Sequence, residues 1–172
     1  MKKILFSIFA VCTLQLSAQK TIYIFNNTQY NLHNALMGAD QTNSNCYPSL
    51  FGVSNTPVPS GGAVSYTGYY NNSPNPSIPT WSVTLAVNNV TNIPTNSPVL
   101  TPLGMATDWM MNKFFLSDPN GATIPYNNET IGTIGCGLPI ITEIHPTSSI
   151  PYPFNAYWFI VGGQTYFNIE DQ

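Results

Sequence analysis

The sequence predicts an all-β fold: a single-domain antiparallel β-sandwich, or an open barrel, with long loops rich in proline and asparagine. Runs of β-branched and aromatic residues recur with a period of two, and clusters of Pro, Gly and Asn separate them. No long segment carries the 3.6-residue apolar period of an amphipathic helix. About eight to ten short strands without intervening helices favour a sandwich over a βαβ architecture.

The first residues have the three-part plan of a secretory leader. Met1-Lys2-Lys3 supplies the positive start, Ile4–Leu14 the apolar middle, and Ala18 the small residue before cleavage. The apolar run is too short to cross a bilayer as a helix, which takes about 20 residues. The sequence therefore predicts a signal peptide at residues 1–18 and one β-sandwich domain at residues 19–172. We expect bacterial export to the cell surface, the medium or the periplasm.

Predicted strands in the first half of the domain end at turn-forming clusters. Lys20–Phe25 is rich in β-branched and aromatic residues, and Tyr30–Met37 is expected to pair with it as a hairpin. Ala63–Tyr70 is a further strand region. The clearest strand is Trp81–Val87, whose odd-numbered residues share one apolar face. The segments between these strands are predicted loops: Gly38–Ser60, Asn71–Pro79 and Asn88–Pro102.

The segment after the third predicted loop is ambiguous. Thr107 suits the N-cap of a short helix over residues 108–111, whereas Lys113–Leu116 favours a strand. Asp118–Gly121 then has the composition of a tight turn, because proline presets one dihedral and glycine supplies a positive φ. A hairpin through this turn into residues 122–124 is expected.

The last third of the chain contains its best hairpin signal. Thr130–His145 is predicted to form two short strands or one bent strand, with a bulge near its glycines. Two apolar runs at residues 156–161 and 164–169 then flank Gly162-Gly163. A two-residue Gly-Gly link between such runs is typical of a tight β-hairpin.

The cysteine pair predicts a disulfide. Cys12 lies in the leader, which leaves Cys46 and Cys136 in the domain. An even number of cysteines in an exported chain most simply forms a bridge, and two separate buried thiols are the alternative. A bond between them closes a loop of about 90 residues, which contributes roughly 4 kcal/mol to the free energy of unfolding in the chain-entropy model.

The charge content excludes two classes of partner. Only 6% of residues are charged, whereas 43% are hydrophobic and 13% aromatic, so a packed core is available. Beyond the leader, Lys20 and Lys113 are the only basic residues besides two histidines. Nucleic acids and anionic lipid surfaces both require clustered Lys and Arg. The sequence therefore predicts no nucleic-acid binding, and it contains no predicted transmembrane segment.

Catalytic and metal-binding patterns are weak. Glu143 and His145 lie two apart in a predicted strand, so both side chains leave one face, as an acid–base pair or half of a metal site would require. The alternative is a polar pair at a strand end. His33 is the other histidine, and a metal site would need carboxylates beside both. We predict no metal, no cofactor and no catalytic residue, with a secreted hydrolase using Glu143 and His145 as an alternative.

Aromatic residues in or beside the predicted loops indicate binding. Tyrosine combines an apolar ring with a polar hydroxyl, which suits contact with sugars without charge. The alternative is that these rings cover the ends of the sandwich. We predict a non-enzymatic exported protein that recognises a glycan or a cell-surface protein, and a membrane-active or self-assembling surface protein is a further alternative. The candidate binding residues are Tyr66, Tyr69, Tyr70, Tyr126 and Tyr152.

Overall fold

The protein is a β-sandwich of two packed sheets, as the sequence predicts, and it is not a closed barrel. The structure is a computed structural model that describes residues 20–42, 44–122, 124, 128–133, 135–146 and 153–172. The predicted signal peptide lies outside the described residues.

Short strands account for most of the described residues, and one short helix interrupts them. In chain order the elements are β1 (Ile22–Asn27), β2 (Asn31–Ala39), β3 (Ser49–Val53), β4 (Ala63–Tyr66), β5 (Thr80–Ala86), β6 (Asn89–Pro94), α1 (Leu100–Met105), β7 (Asp108–Ser117), β8 (Glu129–Thr133), β9 (Ile140–Ile141), β10 (Glu143–Ile144), β11 (Phe154–Val161) and β12 (Gln164–Asp171).

Two sheets are built from these strands. The five-stranded sheet has the order β10-β11-β12-β1-β4, and the seven-stranded sheet has the order β6-β5-β3-β2-β7-β8-β9. Neighbouring strands run antiparallel except β1 and β12, which are parallel and pair from Ile22–Thr165 to Asn27–Glu170. The first and last strands therefore lie side by side near the middle of the five-stranded sheet.

Large aromatic side chains fill the space between the sheets. Phe114 of β7 packs against Phe154 of β11 and Phe167 of β12, with ring centroids 5.7 and 5.0 Å apart. These three rings join the sheets and are fully buried. Full burial of one such side chain contributes about 1.5–3 kcal/mol. A second cluster joins Tyr69, Trp81 and Trp109 by tilted and edge contacts.

The hairpin of β11 and β12 confirms the prediction around Gly162-Gly163. Both glycines have positive φ, 58° and 76°. A two-residue turn with positive φ at both positions matches the right-handed twist of the flanking strands. The turn at Asp118 is also confirmed, because the Gly121 amide donates to the Asp118 carbonyl at 2.9 Å.

The predicted hairpin of the first two strands is wrong. β1 and β2 belong to different sheets, and β2 pairs with β3 and β7 instead. The buried side chain of Asn26 organises this crossing. Its Nδ2 lies within donor distance of the carbonyls of Tyr30, Val58 and Pro59, at 2.8, 3.0 and 2.9 Å. Its Oδ1 accepts from the Thr28 hydroxyl at 2.7 Å.

Two predicted loops contain strands. β3 lies within Gly38–Ser60, and β6 lies within Asn88–Pro102. β6 is an edge strand with every side chain at least partly exposed, so its sequence lacks the alternation that identifies a half-buried strand. The sequence predicts that Leu85 and Val87 share the apolar face of Trp81, but Leu85 lies near the exposed end of β5 and Val87 in the turn that follows, and both are exposed.

The ambiguous segment is a strand throughout. β7 begins at Asp108 and pairs with β2 on one side and β8 on the other, so the expected helix over residues 108–111 is wrong. The short helix α1 lies just before it. Thr107 does not cap a helix start; its hydroxyl donates to the Leu103 carbonyl at 3.0 Å. Pairing with β2, joined from Met111 onward by pairing with β8, therefore overrides the local helix signal.

The predicted disulfide is present. Cys46 and Cys136 are bonded, with a Cα–Cα distance of 5.4 Å. The bond ties the β2–β3 connection to the β8–β9 connection. Residues 135–138 form a turn in place of the expected bulge, since the Leu138 amide donates to the Gly135 carbonyl at 3.1 Å.

Candidate binding face of the five-stranded sheet

The outer face of the five-stranded sheet carries aromatic rings where a solvated sheet face normally carries polar side chains. Side chains alternate between the two faces of a strand. Ile22 and Ile24 of β1 are fully buried, so the residues that follow them point outward. The same alternation holds on β11 and β12. We call the five outward rings the aromatic face: Tyr23, Phe25, Tyr157, Phe159 and Tyr166.

Three of these rings form a row across neighbouring strands. Tyr23 lies opposite Tyr166, and Tyr166 lies opposite Phe159. The Tyr23 and Tyr166 centroids are 5.1 Å apart with an angle of 15° between the planes, and the Tyr166 and Phe159 centroids are 5.1 Å apart at 5°. Cross-strand aromatic pairs of this kind contribute about 0.5–1.5 kcal/mol beyond their burial. The row is therefore a pre-ordered apolar surface.

A second, more polar row runs beside the first. Phe25 lies opposite Asn168, which lies opposite Tyr157, which in turn lies opposite Glu143. The Asn168 Oδ1 accepts from the Asn27 side-chain amide at 2.7 Å. Amide groups thus lie between rings on the same surface, where they offer donors and acceptors beside apolar area.

One edge of the face is formed by Glu143, His145 and Asn155. The His145 Nδ1 lies 2.8 Å from the Asn155 Oδ1, and its Nε2 lies 3.2 Å from the Glu143 Oε2. The ring meets the Tyr157 ring edge-on at 5.7 Å. These hydrogen bonds, first to Asn155 and then to Glu143, raise the pKa of His145. A protonated His145 donates to both partners.

Acidic groups also affect Tyr157. Its pKa is raised, first by desolvation and then by the charge and hydrogen bond of Glu170 and the charge of Glu143. The hydroxyl therefore stays protonated and remains a donor. Together, the rings, amides, hydroxyl and carboxylates form a surface that can cover an apolar ring face and hydrogen-bond the groups around its rim.

The tyrosines predicted from the loops are placed differently. Tyr66 lies in β4 and Tyr69 follows it; both are buried, which raises the pKa of each. The Tyr66 hydroxyl donates to the Pro76 carbonyl at 2.9 Å, so these two are core residues and the prediction of accessible rings is wrong for them. Tyr70 is exposed. Tyr126 and Tyr152 lie outside the described residues.

The burial of Tyr66 and Tyr69 has a local cause. Tyr66 and Val64 share the inward face of β4, and Ser65 lies between them on the outer face. Tyr69 fills the space above Gly38, where a Cβ would overlap its hydroxyl. That hydroxyl lies 3.0 Å from the Thr107 hydroxyl. A glycine near the end of β2 thus makes room for a tyrosine of the segment after β4.

The aromatic face escaped prediction because its residues were assigned to strands and not to a surface. A signal was nevertheless present. Tyr157, Trp158 and Phe159 are consecutive in a strand, so one face receives Trp158 and the other receives the two flanking rings. A strand with large rings on both faces either is covered on both faces or presents an aromatic surface to solvent. β11 presents such a surface.

Glu143 and His145 do come together, as their spacing predicts, and they lie on an open sheet edge. Both side chains are about half exposed or more, so neither has the desolvated setting that usually tunes a catalytic acid or base. His33 lies on the other sheet, hydrogen-bonded to Ser117 at 2.9 Å and stacked on Phe115. Among the described residues, no group of three His, Cys, Asp or Glu side chains is arranged to hold a metal ion.

Comparisons with known proteins give no match among family models, curated proteins or solved structures. Within the described ranges no helix is long and apolar enough to cross a membrane.

Proposed function

We propose that this is an exported, non-enzymatic protein that binds an uncharged glycan on the aromatic face. The observation that carries the proposal is the row formed by Tyr23, Tyr166 and Phe159, with the amide-bearing row beside it. Sugar rings have apolar faces and polar rims. The aromatic row supplies a partner for the apolar face, and the amide-bearing row supplies hydrogen-bonding partners for the polar rim.

The charge distribution supports a neutral ligand. Lysines and arginines are absent from the outward positions of the five-stranded sheet among the described residues, and the charges near its edge are Glu143, Glu170 and the imidazole of His145. An acidic polysaccharide would meet two carboxylates there, with no lysine or arginine beside them to pair with its own charge. A neutral polysaccharide would use them as hydrogen-bond acceptors.

Export is part of the same proposal. The leader plan of residues 1–18 and the bond between Cys46 and Cys136 both suit an oxidising compartment outside the cytoplasm. A surface hydrated by amides and hydroxyls also suits a protein that meets polysaccharide outside the cell.

Two phenylalanines provide a matched test. Phe25 lies on the aromatic face and Phe51 on the outer face of the seven-stranded sheet, and each is 37% exposed. We expect Phe25→Ala to weaken binding to a neutral oligosaccharide by about two- to tenfold, and Phe51→Ala to leave it unchanged. Binding would be measured by calorimetry with soluble hexasaccharides of glucose, xylose, mannose and N-acetylglucosamine.

Salt provides an independent check. Because the proposed contacts involve no ion pair, the dissociation constant should change little between low and high ionic strength. Equal losses from Phe25→Ala and Phe51→Ala, or no binding to any of the four oligosaccharides, would contradict the proposal. Loss of self-association in Phe25→Ala without an effect on glycan would instead assign the face to a second copy of the chain.

A further inference from the structure

A cleft of about 190 Å³ opens between the two sheets at the end of the sandwich near the β11–β12 turn. The residues that line it include the buried Trp158 and Met110 and the exposed Ile140 and Ile160. The cleft is separate from the aromatic face, because Trp158 and Ile160 line it, whereas Phe159 lies between them in β11 and leaves the strand on the opposite side.

The rim of this cleft holds an ion pair. The Lys20 ammonium contacts the Asp108 carboxylate, and both side chains are about half exposed. Lys20 is held in place because the Trp109 indole nitrogen donates to its carbonyl at 2.8 Å. Residues 41–107 contain no charged side chain, so a pair of opposite charges beside a largely apolar cleft is unusual in this chain.

We propose that the cleft binds a free apolar amino acid such as phenylalanine or leucine. The ligand's carboxylate pairs with Lys20, its ammonium pairs with Asp108, and its side chain enters between Ile140 and Ile160. An ammonium has three donors and a carboxylate about four acceptor sites, so each rim group keeps free valences while the two contact each other.

The size of the cleft suits this ligand. An engineered apolar cavity of about 150 Å³ takes up benzene. A cleft of about 190 Å³ therefore has room for one six-membered ring or one branched aliphatic side chain. An amino acid belongs to a different class of ligand from the glycan proposed for the aromatic face, and the inference does not depend on that function.

The test is an NMR titration of the Trp158 indole signal with four probes. Phenylalanine carries both charges, phenylacetate the negative one, phenethylamine the positive one, and toluene neither. We expect phenylalanine to bind tightest and toluene weakest. Lys20→Met should weaken the binding of phenylalanine and phenylacetate by about three- to tenfold but not that of phenethylamine. Asp108→Asn should weaken the binding of phenylalanine and phenethylamine but not that of phenylacetate.

Controls separate the cleft from the remaining surface. Lys113→Met removes the domain's other lysine and should leave all four affinities unchanged. Ile160→Trp fills the cleft and should abolish binding, whereas Val161→Trp at the adjacent exposed position should not. A thermal melt of each variant verifies folding.

Two results would overturn the proposal: no shift with the three charged probes at tens of millimolar and none with toluene at its solubility limit, or toluene binding as tightly as phenylalanine. Because Ile160→Trp leaves the aromatic face intact, glycan binding by that variant distinguishes a failure of this inference from a failure of the proposed function.

Discussion

Replacing Asn26 tests how the chain crosses from one sheet to the other. Asn26 is fully buried. Its Nδ2 lies within hydrogen-bond distance of the carbonyls of Tyr30, Val58 and Pro59. Its Oδ1 accepts a hydrogen bond from the Thr28 hydroxyl. Asn26→Ala removes about three to four hydrogen bonds, each contributing a net 0.5–1.5 kcal/mol, although the Val58 and Pro59 carbonyls keep the amides of Leu32 and Gly62 as donors. We expect a loss of about 3–5 kcal/mol in the free energy of unfolding, a large share of the 5–15 kcal/mol typical of a domain.

The neighbouring asparagine supplies the control. Asn27 is exposed and donates one hydrogen bond, to Asn168 at 2.7 Å, so Asn27→Ala should cost less than about 1 kcal/mol. Urea denaturation followed by tryptophan fluorescence measures both variants. A cost below about 1 kcal/mol for Asn26→Ala, or equal costs for the two, would refute the reasoning that this side chain organises the crossing.

Three further predictions concern other parts of the fold. Serine substitution of both cysteines should lower the free energy of unfolding by roughly 4 kcal/mol, measured by urea titration, and a loss under 1 kcal/mol would contradict the chain-entropy argument. Gly38→Ala should cost about 1–3 kcal/mol because its Cβ overlaps the Tyr69 hydroxyl, and Tyr69→Phe in the same chain should recover part of that loss in a thermal melt. In an NMR titration His145 should protonate at a higher pH than His33, whose pKa is lowered by burial, and Glu143→Gln should reduce the difference. The raised pKa means that the contacts of protonated His145 exist at low pH and are lost as pH rises through it; identical titration curves for the two histidines would contradict this.

The fold class was predictable because the strongest patterns lie in strands with one buried face. Trp81 and Val83 alternate with small polar residues in β5. Gly162-Gly163 identifies the hairpin of β11 and β12 from the local sequence alone. β6 could not be recognised, because an edge strand with exposed side chains has no alternation. The partner of β2 was also beyond reach, since pairing with β7 joins residues about 80 positions apart.

The candidate site was less predictable than the fold. Tyr66 and Tyr69 have the composition of a loop surface, yet alternation and the space above Gly38 place them in the core. The aromatic face combines residues from β1, β11 and β12, and the parallel pairing of β1 with β12 brings Tyr23 beside Tyr166. A contact between the two ends of a chain leaves no trace in local sequence.

The most direct test of the account is a map of aromatic side-chain NMR signals during titration with neutral hexasaccharides. Binding on the five-stranded sheet predicts that the Tyr23, Tyr166 and Phe159 signals shift together while Phe51 stays unchanged. Shifts confined to Phe51 and its neighbours on the other sheet, or no shifts with any of the oligosaccharides, would contradict it.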